Sequence, residues 1–441
     1  MPDLLSQFEG AAAPHVSRAE RLDIRRRIAD DLIQRNGAIT SQLANVVSIL
    51  ERDPDYRDRL RYSELHLCPE WREAGGEWVA LTDAHEGRIA VEIERAYQFS
   101  AARHVNRAIL TVAADHPYSP IRAYLEGLEW DGTPRIDSAI VDLFGGDDGD
   151  DLAAEKGRVF FLSAARRGLA PGCKVDTMLV LRGGQGYAKS GALKTIFGGE
   201  WFKDSDIPLN HSQDKYQALN GVWGYEIPEM DSFNHRDWNT VKAFLTSQVD
   251  VFRPSHARNN VTRRRACVFV GTTNEWEFLR DATGSRRFLV VEVARPLALD
   301  KIAADRDQLW AEAVHRLAEG EAWWSSKEVE DRLQAQNLRY LKADSWTDAV
   351  EEWIAGRVEP FSIARVLGEA IGIDLDRQDS RHAHRAREIL QAAGCVKQTR
   401  AGREVRTRDD YERQHRPPGS RINPVRMWIG PAAQRTSEGR R

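Results

Sequence analysis

Four short apolar runs in the middle of the chain dominate its pattern of hydrophobic and polar positions. They span residues 178–181, 222–227, 267–270 and 288–293, and segments with helical periodicity alternate with them. Short buried strands that alternate with helices are typical of a largely parallel α/β sheet. The segments on either side of these runs have mainly helical periodicity, and residues 40–51 are a clear example of one apolar face.

This pattern divides the 441 residues into six segments. We predict a mixed α/β N-terminal region, a helical subdomain, an α/β core, a helical lid, a basic C-terminal domain and a disordered tail. Two helices followed by a basic ribbon make the C-terminal domain compatible with a winged helix. The predicted bounds are 1–105, 106–170, 171–297, 298–345, 346–430 and 431–441.

Composition then narrows the class of protein. Hydrophobic residues make up 41% of the chain and charged residues 29%, which is typical of an ordinary globular protein. We find neither an apolar run long enough to span a membrane nor a secretory signal. The four cysteines are far apart in the sequence, so we expect reduced thiols in a cytoplasmic protein rather than a zinc site or disulfides.

The formal net charge of −4 hides an uneven distribution. Residues 381–441 contain fifteen Lys and Arg against six Asp and Glu, and residues 251–266 contain five Arg and one His without any acid. A basic segment without acids can follow a phosphate backbone with little sequence preference. A solvated basic loop remains the alternative for residues 251–266, and an acidic protein partner remains one for the C-terminal segment.

Candidate chemistry begins at a glycine-rich motif, residues 183–190, which we call the phosphate loop. It follows the apolar run 178–181 and reads Gly-Gly-Gln-Gly-Tyr-Ala-Lys-Ser. Backbone N–H groups of such a turn can surround phosphates, Lys189 would reach the β- and γ-phosphates, and Ser190 would hold Mg²⁺. The usual motif has glycine where this chain has Ala188. Alanine is harmless there if its backbone is helical, but costs about 1 kcal/mol if φ is positive.

Polar residues follow the later apolar runs in an order that fits an ATPase. Glu226 and Glu229 end the second run and can hold Mg²⁺ and orient the attacking water, although their two roles cannot be assigned. Asn274 follows the third run as a candidate γ-phosphate sensor. Arg286 and Arg287 precede the fourth run as candidates for an arginine that enters a neighbouring subunit's site. Each of these residues taken singly is also compatible with an ordinary surface turn.

These segments resemble the virulence-associated protein E family, whose members are similar to superfamily-three helicases of phages, plasmids and viruses. The resemblance covers about residues 40–400. It is carried by residues 120–125, 172–186, 200–204, 226–229, 272–275, 281–288, 309–313 and 323–324. Many members also have an N-terminal primase-like domain, for which we see no room here.

The resemblance implies a P-loop NTPase core of the AAA+ type, Mg-ATP and a homo-oligomer such as a hexameric ring. It implies that residues 242–265, the basic interval, form a hairpin that points into the channel of the ring. The implied nucleotide-binding residues are Gly183, Gly184, Gln185, Gly186, Tyr187, Ala188, Lys189 and Ser190, with the metal at Ser190 and Glu226. The DNA-binding candidates are Lys242, Arg253, His256, Arg258, Arg263, Arg264 and Arg265.

Two functions fit these features. The first is an ATP-dependent translocase or helicase that acts on single-stranded or forked DNA, with other replication proteins, when a phage or mobile element replicates. The second is a non-hydrolysing, nucleotide-gated DNA-binding or scaffold protein, which Ala188 favours. A small-molecule kinase would share the phosphate loop but would leave the basic interval unexplained.

Overall fold

In the computed structural model the chain forms two compact units, Met1–Leu341 and Lys342–Arg441. The residues that the structure describes are 16–73, 76–205, 214–230, 235–253, 260–279, 284–341, 345–400, 403–404, 406–407, 410–416 and 424–432. The predicted tail therefore falls almost entirely outside the described residues.

The first unit begins with four helices and two small sheets. Ser17 caps the first helix by accepting the backbone N–H of Glu20 at 3.3 Å. The helices are α1 (Arg18–Asp31), α2 (Leu43–Arg52), α3 (Asp83–Tyr97) and α4 (Val105–Ala114). The strands are β1 (Gln34–Arg35), β2 (Ala38–Ile39), β3 (Leu60–Ser63), β4 (Cys68–Arg72), β5 (Trp78–Ala80) and β6 (Pro117–Tyr118).

These elements enclose a hydrophobic core of their own. Val46, Ile49 and Leu50 of α2 are completely buried in it, because apolar side chains at this spacing share one helical face. β4 and β5 pair as antiparallel neighbours within a four-stranded sheet of order β5-β4-β3-β6. Helix α4 also contributes to this core, so the structure places residues 106–114 with the N-terminal region.

A five-stranded sheet follows in the middle of the chain. Its strands are β7 (Met178–Gly183), β8 (Phe202–Asp204), β9 (Gly224–Ile227), β12 (Val268–Thr273) and β13 (Phe288–Val293). Their order is β13-β7-β12-β9-β8 and every pair is parallel. The predicted parallel α/β sheet is therefore present, and four of its strands coincide with the four apolar runs.

Helices cover this sheet because its strands are apolar on both faces. The helices in this part of the chain are α5 (Pro120–Glu126), α6 (Ala139–Asp142), α7 (Ala153–Leu169), α8 (Lys189–Phe197), α9 (Asp214–Gln217), α10 (His235–Leu245), α11 (Leu299–Ala318) and α12 (Lys327–Asn337). Trp310 of α11, in the predicted lid, is fully buried and donates to the carbonyl of Ile196 at 2.8 Å. Helix α11 is thus packed into the main core.

Between β9 and β12 the chain forms an antiparallel pair, β10 (Val249–Phe252) and β11 (Val261–Arg264). We call this pair the basic hairpin. The sequence-based expectation that this interval forms a hairpin is confirmed. Because β12 begins at Val268, the hairpin joins the parallel sheet at the amino end of that strand.

The second unit has its own small core around Val350, Phe361, Leu390 and Trp428. Its helices are α13 (Thr347–Ile354), α14 (Ile363–Glu369), α15 (Ser380–Ala392) and α16 (Asp410–His415). Its short strands are β14 (Val396–Lys397), β15 (Thr399–Arg400), β16 (Arg403–Glu404), β17 (Arg406–Thr407), β18 (Val425–Arg426) and β19 (Trp428–Ile429). Helices followed by short antiparallel ribbons are the order of elements that the sequence predicts here.

Across the described part of the chain, every helix is too short or too polar to cross a bilayer. All four cysteines lie in described segments, and each is a free thiol.

Candidate functional site

The phosphate loop occupies the turn between β7 and α8, at the carboxyl edge of the parallel sheet. Its glycines are needed for space and for backbone conformation. A Cβ at Gly183 would come within 2.6 Å of the Val293 carbonyl oxygen, and one at Gly184 would lie 3.1 Å from the Tyr187 ring. Gly186 has a φ of +82°, which other residues rarely adopt. The backbone shape of this turn therefore requires glycine at these three positions.

Ala188 precedes the helix in a left-handed conformation, with φ 60° and ψ 29°. The sequence leaves open whether the backbone of Ala188 is helical or has a positive φ. The structure has the positive φ, which glycine adopts more readily than alanine. An alanine held there costs about 1 kcal/mol because its Cβ approaches the backbone. The phosphate loop of this chain therefore carries local strain at the residue before Lys189.

Lys189 lies at the start of α8 with 8% of its surface exposed. Its ammonium donates to the carbonyl oxygens of Gly183 and Gly184 and to Oδ1 of Asn274, each at 2.8 Å. Burial lowers the pKa of Lys189, and the nearby charge of Arg182 lowers it further. All three N–H donors of the ammonium are thus hydrogen-bonded to the protein, and one of these bonds joins Lys189 directly to Asn274.

Glu226 is fully buried at the carboxyl end of β9. Its Oε1 accepts from the Ser190 hydroxyl at 2.7 Å and from the Thr272 hydroxyl at 2.6 Å. Its Oε2 is buried without a hydrogen-bond partner. Burial raises the pKa of the Glu226 carboxyl, although the two hydroxyl donors act in the opposite direction. Among the described residues, the Glu226 carboxyl therefore has no ion-pair partner, and the charge of Lys189 acts on it only from a longer distance.

The strand that carries Glu226 is not the immediate neighbour of the phosphate-loop strand. β12 lies between β7 and β9, and the hydroxyl of Thr272 on this middle strand reaches Glu226. Sequence reasoning also missed Thr272 and Arg182 as site residues. A polar residue at the end of each buried strand is the signal that points to both.

The second acid, Glu229, is separated from the first. β9 ends at Ile227, as the following Pro228 predicts, and Glu229 lies exposed on the loop beyond it. Its φ is 45°, so it is a second non-glycine residue near this edge with left-handed backbone. Glu226 is consequently the acid that joins Ser190, whereas Glu229 faces solvent.

Arg286 and Arg287 lie at the opposite edge of the sheet. They directly precede β13, whose first residue Phe288 pairs with Met178, the first residue of β7. A six-residue strand is about 16–20 Å long, so these arginines are far from the phosphate loop of their own chain. Arg286 forms an ion pair with Glu330 at 3.1 Å, and Nε of Arg287 is buried without a hydrogen-bond partner.

The DNA-binding candidates divide into different environments. Arg253 and Arg264 are exposed at the ends of the basic hairpin, and Lys242 is half-buried in α10 beside Gly284. His256 and Arg258 lie outside the described residues.

The prediction that Arg263 and Arg265 contact DNA is wrong. Their exposed fractions are 4% and 1%. Arg263 donates to Asn220 at 2.5 Å and to the Leu219 carbonyl at 2.9 Å, and Arg265 forms a buried ion pair with Asp250. Side chains alternate between the two faces of a strand, so positions 263 and 265 turn inward whereas 264 turns outward. These two arginines hold the base of the hairpin.

Comparison with known protein families identifies one domain of the chain. Residues 125–342 match the model of the virulence-associated protein E-like domain. These residues therefore form a virulence-associated protein E-like domain. This domain contains the phosphate loop, Glu226, Asn274 and the basic hairpin. It also contains Arg286 and Arg287, the candidates for an arginine that enters a neighbouring subunit's site.

Two similar solved structures are the apo structure and the A-form apo structure of the NrS-1 C-terminal region. Both are 12% identical in sequence and cover 84% of this chain. They match over 95% and 96% of their own lengths, with TM-scores of 0.42 and 0.44. Scores this low do not establish a common fold. A search of curated proteins gave no match.

Glu226 and Ser190 alone are too few protein ligands for Mg²⁺, which prefers six oxygen ligands. Among the described residues, no group of three or more His, Cys, Asp or Glu side chains could hold a metal alone. Glu226 and Ser190 nevertheless fit a hard cation, since Oε2 is buried without a partner and Mg²⁺ usually takes one or two carboxylates, water and substrate phosphates. The residues present therefore fit Mg²⁺ that arrives with a nucleotide.

We predict that Ala188→Gly stabilises the protein. Glycine removes the left-handed strain, so the free energy of unfolding should rise by about 0.5–1 kcal/mol. Chemical denaturation monitored by circular dichroism measures it. Ala192→Gly is the matched control, because Ala192 is buried inside α8 with helical backbone and glycine should destabilise it by about 1 kcal/mol or more. Destabilisation by both variants would contradict the assignment of strain to Ala188.

We predict that Glu226→Gln changes how stability depends on pH. The pKa of Glu226 is raised above its usual 4.5 in the folded protein, so its contribution to stability is complete below pH 4.5 and is lost as pH rises through the folded value. Between pH 4.5 and the pH at which the buried carboxyl ionises, wild type should lose stability relative to Glu226→Gln, by roughly 1.4 kcal/mol per pKa unit of the shift. Urea unfolding across this range tests it. A constant difference between the two proteins at every pH would refute the prediction.

Proposed function

We propose that the chain is an ATP-dependent DNA translocase or helicase that acts in the replication of a phage or mobile element. The observation that carries the proposal is the meeting of Lys189, Ser190, Glu226 and Asn274 at the carboxyl edge of the parallel sheet. In open α/β sheets, ligands bind outside the carboxyl ends of the strands, where the strand order reverses. The match of residues 125–342 to the virulence-associated protein E-like domain supports this role.

The topology supports a P-loop NTPase core. In sequence order the five strands are arranged 5-1-4-3-2, so the chain leaves strand 1 for one side of the sheet and returns to its other side as strand 5. The phosphate loop directly follows strand 1, at this reversal. Strand 4 lies between the phosphate-loop strand and the strand of Glu226. Thr272 near its end contacts Glu226, and Asn274 just after it contacts Lys189.

Each side chain has a role that its contacts allow. Lys189 would exchange its bonds to the loop carbonyls for the β- and γ-phosphates, and the released amide of Asn274 would contact the γ-phosphate or the attacking water. Glu226 and Ser190 would hold Mg²⁺, which, when bound, neutralises charge on the phosphates. Both pKa shifts arise mainly from burial, and such a ligand would offset them, because its phosphates stabilise charged Lys189 and its cation stabilises charged Glu226.

The position of the arginines supports a homo-oligomer such as a hexameric ring. Arg286 and Arg287 lie at the amino edge of the sheet, whereas the phosphate loop lies at the carboxyl edge. A neighbouring subunit would have to present its amino edge to this site for either arginine to stabilise the transferring phosphoryl group. Arg286 would then leave its half-buried ion pair with Glu330.

Single-stranded or forked DNA would bind at the basic hairpin. Arg264 and Arg253 are exposed there, and the buried pair of Arg265 and Asp250 fixes the hairpin to the sheet. The hairpin continues directly into β12, whose other end carries Thr272. Nucleotide would bind at one end of β12 and DNA at the other. A motor requires that binding at one of these sites changes binding at the other, and β12 connects the two.

A non-hydrolysing, nucleotide-gated DNA-binding or scaffold protein is the second candidate. Two observations favour it: Ala188 is strained, and the Lys189 ammonium donates to three acceptors of the protein itself. Each of these raises the cost of arranging the loop for catalysis. Such a protein would recruit other replication proteins or interfere with a phage without turnover.

We predict that steady-state ATP hydrolysis requires Lys189 and increases with single-stranded DNA. Lys189→Ala should reduce turnover roughly 10²–10³-fold, because it removes a positioned charge from the transferring phosphoryl group. Lys194→Ala is the control, since Lys194 is exposed on the same helix. ATP binding without turnover, with or without DNA, would replace the motor by the scaffold. Absence of both binding and turnover would refute the two candidates together.

We predict that the hairpin supplies part of the salt-dependent affinity for single-stranded DNA. The double variant Arg253→Ala, Arg264→Ala should lower the slope of log affinity against log salt by about 1.4, at about 0.7 for each phosphate contact. The double variant Arg103→Ala, Arg107→Ala removes two exposed charges from the N-terminal region and should leave the slope unchanged. Equal slopes for both double variants would remove the hairpin from the DNA-binding surface.

A further inference from the structure

The second unit contains a pocket of about 600 Å³ that the proposed ATPase does not use. It opens between α14, α15, α16 and the strands β14 and β18. Leu367, Leu375, Ala383 and Trp428 provide an apolar wall, and Trp428 is only 2% exposed. This volume lies within the range of small-molecule sites, roughly 300–1,000 Å³.

Four cations line the same pocket: Arg387, Lys397, Arg416 and Arg426. Lys397 and Arg426 share one acid, Glu404, at 3.1 and 2.9 Å. Arg416 pairs with Glu412 at 3.0 Å. Half-buried Arg387 has no acid partner among the described residues. The pocket therefore has more positive than negative charge, and the guanidinium of Arg387 is its unpaired member.

The N-terminus of α15 does not supply an anion site here. Asp379 lines the pocket and caps this helix by accepting the backbone N–H groups of Arg381 and His382, each at 2.9 Å. An anion in the pocket would therefore be bound by side chains, and Arg387 is the one able to bind it without first breaking an ion pair. Glu412, 4% exposed, adds a buried acceptor to the lining.

We propose that this pocket binds one nucleotide unit, with its flat ring against the apolar wall and its phosphate against Arg387. A ring and a phosphate match the two kinds of surface that meet here, and Glu412 can accept from an exocyclic amino group of the base. The same chemistry is offered by a free nucleotide and by one nucleotide of a single strand. The site lies in a different unit from the phosphate loop, so it does not depend on the proposed ATPase.

The test measures binding in the Lys189→Ala background, which separates this pocket from the proposed ATP site. The probes are dAMP, a short single-stranded oligodeoxyadenylate and an oligoglutamate peptide, each titrated calorimetrically into the full chain. Arg387→Ala should weaken binding of dAMP or of the oligonucleotide about tenfold or more, as expected for a lost charge-assisted hydrogen bond. Arg377→Ala removes an exposed arginine outside the pocket and should leave affinity unchanged.

A second variant, Ala383→Phe, fills the pocket without changing its charge and should weaken the same probe. Thermal unfolding checks that each variant remains folded. Loss of dAMP binding identifies a free nucleotide as the ligand, and loss of oligonucleotide binding alone identifies a strand. The proposal is overturned if Arg387→Ala and Ala383→Phe leave both nucleotide probes unaffected, or if only the acidic peptide depends on Arg387.

Discussion

A buried carboxyl group without an ion-pair partner among the described residues is the constraint around which the site is organised. Glu226 is fully buried, and only one of its two oxygens accepts hydrogen bonds. Removing an ionised group from water is costly unless a cation or several donors compensate it. The hydroxyls of Ser190 and Thr272 compensate it in part, so the arrangement is most favourable when a cation is added. A purely structural acid at this position would more often be paired.

The parallel direction of the five strands gives the domain two chemically different edges. The carboxyl edge carries the phosphate loop, Glu226 and Asn274, and the amino edge carries Arg286, Arg287 and the base of the basic hairpin. Contacts within one chain cannot bring these groups together. A function that needs both edges therefore needs either a second copy of the chain or a movement transmitted through the sheet.

Much of the central fold could be predicted from the sequence, and the exceptions have physical reasons. Residues 288–293 coincide with β13, because a strand buried on both faces must be apolar throughout. β8 was missed because it has only three residues at the edge of the sheet, one of them buried. Charge composition could not separate inward Arg263 and Arg265 from outward Arg264, whereas their alternation along a strand could have done so. The backbone of Ala188 had two alternatives, because its φ depends on the loop as a whole.

All six residues of β12 are buried, and the strand is paired on both sides. Such a strand cannot bend by itself without breaking hydrogen bonds to both neighbours and opening voids in the core. If events at Thr272 are felt at the hairpin, the sheet and the helices packed on it must shift together as a stiff body. The hairpin would then behave like the tip of a lever, and the size of its stroke would depend on how far the whole domain tilts.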